Sequence, residues 1–125
     1  MVTMTSKELF QEKFNTLPQE IKEAIVSVDT FEKLKKISQT YKLLIDKMGI
    51  LGDETGLVMV GITHPKSYSS NLRNRLGVSG QVAEAITTEV NELIFKPIRA
   101  SLQKIHGEYK EVEAKKEVYT APENL

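Results

Sequence analysis

The residues able to do chemistry in this chain are few and scattered. It has two histidines, His64 and His106, and no cysteine, so thiolate catalysis, thiolate metal sites and disulfides are excluded. His64 precedes Pro65 at the expected start of a helix, where a capping imidazole suits the position better than a general base. His106 falls in the last turn of the expected long C-terminal helix, where imidazole suits the helix dipole. Asp53 and Glu54 sit between glycines, but an oxygen-ligated metal needs several more carboxylates at close spacing. GILGDETG has no lysine to complete a phosphate-cradling loop. Ser67, Ser69 and Ser70 have no histidine and acid at a recognisable spacing. The sequence therefore argues against an enzyme and calls for no cofactor or metal.

The stretch LRNRLGVSGQVAEAI (72–86) raises a nucleic-acid reading, because Leu76-Gly77-Val78 has the look of a helix-turn-helix corner. Lys66, Arg73 and Arg75 are the candidate phosphate or base contacts. Three features oppose it. Arg73 occupies the crossing that wants a small side chain, and Ala83 stands where a branched apolar plug belongs. The face formed by Gly80, Gln81, Glu84, Thr87 and Thr88 carries no cation to pair with guanine edges or phosphates. Lysine plus arginine and aspartate plus glutamate number 17 each, without the basic excess that gives most nucleic-acid binders their affinity.

These residues must be positioned by helices, since apolar spacings of three and four run through the chain. Thr5 and Glu8 form a capping-box pattern ahead of Leu9, Phe10 and Phe14. Pro18 suits a first helical turn, and Leu17, Ile21, Ala24, Ile25 and Val28 make the stripe behind it. Asp29 and Glu32 form a second capping pattern before Phe31, Leu34, Ile37, Ser38 and Tyr41. The segment from Ile45 to Ile62 holds four glycines and an LVMV run that could pass for a strand. With no partner strand elsewhere, a buried helix is the better reading, and Gly52 and Gly56 would let a neighbouring backbone come close. Gly77 ends the next helix and Ser79 caps the one after it.

From Val82 the helical period continues to Ile105, with Pro97 inside it. That proline removes a donor and crowds the carbonyl of Leu93, which predicts a kink. Arg99 is placed to satisfy carbonyls so released, or a partner's carboxylate. Two adjacent stripes (Leu93, Pro97, Ala100 and Ile94, Ile98, Leu102, Ile105) exceed what one face of a small bundle needs. Leu93, Ile94, Ile98, Arg99, Leu102 and Ile105 are thus the candidate protein interface. Shifting the chain by 61 residues lays 17–37 on 78–98 with Glu-Ala-Ile in common, the pattern of an internal duplication.

The run LPQEIKEAIVSVDT, the segment ETGLVMVGITHP and the end VNELIFKPIRASLQKI together resemble a family of small helical proteins of unknown function found in bacteria with reduced genomes. The resemblance covers about residues 14–106. It implies a self-standing helical domain and carries over no functional residues.

The expected fold is all-α: a single-domain bundle of five or six helices over 1–106 with a long, proline-kinked C-terminal helix. A charged tail at 107–125 is expected to be disordered, with Val118 and Tyr119 its one docking candidate. No run is long and apolar enough to span a membrane and no signal peptide is evident, so a soluble cytoplasmic protein is expected. By elimination the expected function is protein–protein interaction, with a protein partner or a homo-oligomer. A nucleic-acid module on 65–88 and a small-molecule-binding bundle around 49–61 are the alternatives.

Overall fold

Local capping decides where each helix begins. A computed structural model describes residues 5–107, and the expected tail with Val118 and Tyr119 lies outside them. Thr5 and Glu8 exchange both capping-box bonds at 2.9 and 3.0 Å, opening α1 (Ser6–Asn15). Pro18 leads into α2 (Gln19–Val26). The next cap corrects the sequence reading: Ser27, not Asp29, accepts from the amides of Asp29 and Thr30 and starts α3 (Val28–Thr40). Lys42, in the left-handed region at φ 57°, turns the chain into α4 (Ile45–Met59). The glycine-rich segment is therefore a helix, and it crosses the middle of the molecule with Leu51, Glu54, Thr55, Val58 and Met59 buried.

His64 caps a short tight turn, Pro65–Ser67, by accepting the Lys66 amide on Nδ1 at 3.0 Å. α5 (Tyr68–Leu76) follows and ends at Gly77, whose φ of 70° is the left-handed stop expected there. Ser79 then accepts from Val82 and opens α6 (Gly80–Val90). The chain continues without a loop through a wide π turn (Asn91–Phe95) and a tight 3-10 turn (Lys96–Ile98) into α7 (Arg99–His106). This is the long helix with its break at Pro97. All described elements are helical, and no helix among the described residues is long and apolar enough to cross a membrane.

The Leu93 carbonyl, four residues before Pro97, accepts from Lys33 Nζ of α3 at 3.1 Å, a donor 60 residues away. One expectation about this helix needs correction. Ile94, Ile98 and Leu102 are buried within the chain's own core, with Ile21, Ile37, Leu51, Leu72 and Ile86, so the surplus stripe is covered by the molecule itself. Segments 17–37 and 78–98 also diverge: the first breaks at Ser27, where the second continues helically through Thr88.

The glycines divide by need. A Cβ on Gly52 would meet nothing described within 4 Å, and one on Gly56 only the Phe10 ring at 3.7 Å, so neither admits a neighbouring backbone as expected. Gly61 is different. Its φ is 92°, and a Cβ there would lie 2.6 Å from Cγ2 of Ile105. Gly61→Ala should therefore cost about 1–3 kcal/mol by urea denaturation, from overpacking and backbone strain together. Gly77→Ala, strained but unobstructed, should cost about 1 kcal/mol.

Candidate functional site

Three places bring polar or exposed apolar groups together. The first is the α4–α5 contact. Glu54 is almost fully buried, and its carboxylate accepts from Arg75 Nη1 at 2.6 Å and from Asn71 Nδ2 at 3.2 Å. Its neighbour Thr55 bonds the Tyr68 hydroxyl at 2.7 Å and donates to the Leu51 carbonyl at 2.8 Å. The same Thr55 and Arg75 line a cleft of about 520 Å³ against Ser6, Lys7 and Phe10 of α1 and Gly52, Asp53 and Gly56 of α4. The glycine-rich helix thus borders a cavity with polar groups on its wall.

The second is a histidine pair where the ends of α4 and α7 meet. The His106 and His64 rings contact edge-on, with centroids 5.4 Å apart. His106 Nε2–H donates to the Val58 carbonyl at 2.7 Å, which fixes its tautomer. Burial pushes the His106 imidazole below its ordinary 6.5; the bond to Val58 opposes that, and His64 adds to it. Among the described residues no group of three histidine, aspartate or glutamate side chains is placed to hold a metal.

The third is the corner between α2 and α3. Val26, Val28 and Phe31 are exposed there, Val28 at 74% and Phe31 at 57%, although the sequence stripes placed Val28 and Phe31 inside. The Ser27 cap is the reason: it divides the two helices one residue before Val28 and turns the second to a new phase. Beside the corner, Ala24, Ser27, Thr30, Leu93, Pro97 and Ile98 line a groove of about 310 Å³ with Glu20, Glu23, Asp29 and Lys33 around them. Of the candidate interface, Leu93 stays exposed at 41%. Arg99 and Ile105 are half-buried, the latter against Gly61.

The candidate nucleic-acid residues do not form one surface. Arg73 and Arg75, two positions apart on a helix, point about 200° from each other. Arg75 turns to Glu54, while Arg73 and Lys66 are exposed. On the expected reading face Thr87 is buried, donating to the Ala83 carbonyl at 2.7 Å, and Glu84 accepts from Ser69 at 2.9 Å. The Glu54 cluster and the α2–α3 corner were both absent from the sequence reading. Glu54 could have been found, because it shares the 51–55–58 face of α4 and a carboxylate there must be paired.

Compared with protein-family models, with curated proteins and with solved structures, the chain finds no match in any of the three. The reading of its function rests on this geometry.

Two measurements follow. Arg75→Ala removes a donor from a buried carboxylate while Asn71 remains, so unfolding should show a loss of about 1–3 kcal/mol; exposed Arg73→Ala should stay within about 0.5. For His106 the folded value is the lower one, so its contribution is complete above 6.5, where the imidazole is neutral folded or unfolded. That contribution is lost as pH falls through the folded value. The stability difference between wild type and His106→Asn should accordingly shrink from pH 8 to pH 5.

Proposed function

We propose that this domain is a protein-docking module that self-associates through the α2–α3 corner and the Pro97 break of the long helix. One observation carries the reading. Of six large apolar side chains exposed among the described residues, three fall within Val26–Phe31, beside the groove that holds exposed Leu93. Isolated apolar residues on a surface need no explanation, whereas a cluster of them at one corner, beside a groove of mixed polar and apolar lining, is what an interface with an apolar centre and a polar rim uses.

The charges favour a second copy as the partner. The groove's carboxylates are Glu20, Glu23 and Asp29, and the outer side of α3 exposes Lys35 and Lys36, the first one turn beyond Phe31. A two-fold interface repeats one patch on both sides and so needs both signs around its apolar centre. A formal net charge of zero adds no long-range repulsion between copies. The reading is of a binding domain without catalytic activity.

Ile98 and Leu102 are unsuitable test sites, because a charge there would disrupt the core. Phe31→Asp and Leu93→Asp are the informative changes. Wild type should sediment as a dimer or larger species at high micromolar concentration, and either variant should shift to monomer with its thermal melt unchanged. A strictly monomeric wild type would overturn self-association.

A further inference from the structure

Leu44 and Ile45, in the turn from α3 to α4, are the two large exposed apolar side chains that the α2–α3 corner does not include, and 72% and 82% of them face solvent. They follow α3, whereas the corner precedes it, and its 13 residues span about 20 Å. The fold asks for neither the pair nor the lysine before it. Leu44 is the N-cap of α4 and makes no side-chain capping bond, at a position where serine, threonine, asparagine or aspartate steadies a helix. Lys42 holds φ 57° and is, among the described residues, the only non-glycine in the left-handed region. The Leu43 amide then donates back to the Ser38 carbonyl at 2.9 Å, closing a helix stop that glycine makes best. A lysine and a leucine thus occupy two positions where local stability prefers glycine and a capping side chain, the mark of residues kept for another use.

The charges at this end of α3 lean positive. Lys36, one turn before the end of α3, and Lys42 are exposed, and half-buried Lys47 reaches the Arg75 carbonyl at 3.4 Å. None of the three makes an ion pair among the described residues. Against them stand exposed Asp46 and half-buried Glu89, the latter held on the Tyr41 hydroxyl. The remaining charges cancel: Arg75 pairs with Glu54, Lys33 pairs with Asp29, and Glu32 offsets Lys35 nearer the corner.

We infer that the α3–α4 turn is a contact for an anionic membrane surface, with Leu44 and Ile45 entering the boundary between headgroups and acyl chains and Lys36, Lys42 and Lys47 meeting lipid phosphates. Size and charge select this occupant. Two adjacent side chains fall far short of the about 800 Å² per partner that a stable protein interface buries. A bilayer needs no matching pocket, and it holds a protein through inserted apolar area together with the cations beside it. A contact this small is reversible.

The test is co-sedimentation of the full chain with vesicles of phosphatidylcholine alone and with phosphatidylserine added. Binding should require phosphatidylserine and weaken as salt rises. Leu44→Ser combined with Ile45→Ala should weaken it about tenfold, with the melting temperature kept or raised because serine supplies the missing cap. Lys42→Gly, which suits the turn, should weaken it about fivefold, again without loss of stability. If the double variant fails to fold, Lys42→Gly and the lipid dependence decide the matter. No binding to either vesicle, equal binding to both, or affinity unchanged in a folded variant overturns the assignment. Retention on immobilised polyglutamate as strong as on vesicles overturns it too, in favour of an acidic protein. Phe31 and Leu93 are untouched by these changes, so failure here is distinguishable from failure of the dimer.

Discussion

A hydroxyl inside an apolar core must find a partner, and Tyr68 imposes that requirement on the centre of this molecule. Its ring is wholly buried, its oxygen reaches Thr55 of α4, and its edge packs on Phe95 at 5.5 Å and 73°. Burial raises its ionisation far beyond the ordinary tyrosine range, so it stays a neutral hydrogen-bonding group. One side chain therefore fixes α4 against α5 and both against the wide turn of the long helix. Glu54, one residue from Thr55, binds Asn71 and Arg75 further along α5, so two adjacent residues of α4 set the register of that pair.

With that centre in place, the outer helices follow from what each must cover. α2 and α3 close over the Ile94–Ile98–Leu102 line, and Ser101 of α7 donates to Glu20 of α2 at 2.5 Å. Lys33 donates to the Leu93 carbonyl and Tyr41 to Glu89; burial first, then that hydrogen bond and the carboxylate's charge, push the phenol up to about 12. The elements on either side of the α2–α3 corner are thus tied down by polar bonds, while Val26, Val28 and Phe31 at the corner itself stay outside. That combination is what a preformed contact surface requires.

Much of this was legible in the sequence because it is local. Thr5, His64, Gly77 and Ser79 act within three residues of themselves, and each does what its type and position predict. For α4 a helix was the favoured reading over a strand, because a strand needs a partner and none was on offer, and the structure has a helix there. What could not be read was long-range. Periodicity marks Ile94, Ile98 and Leu102 as an apolar face, but it does not say whether the same chain or another covers that face. Competing caps blurred the α2–α3 corner: Ser27 and Asp29 both qualify, and a shift of two residues moved Val28 and Phe31 from inside to outside. Lys33 at Leu93 and Arg75 at Glu54 join residues 60 and 21 apart, beyond any local pattern. For the same reason Gly52 and Gly56 could be read from the sequence as room for a neighbouring backbone, when α1 and α4 in fact leave an open cleft beside them.

The wide turn at Asn91–Phe95 has a further effect, on angular phase. Val90, Ile94, Ile98 and Leu102 recur every fourth residue and all are buried. In a uniform α-helix each such step advances about 40°, and three steps would carry the line about 120° around the axis and out to solvent. Underwinding at the wide turn gives back part of that advance, so the helix stays seated from α6 to α7. The irregularity beside Pro97 is therefore a phase correction. It lets a small bundle use one continuous helix as a wall along its whole length.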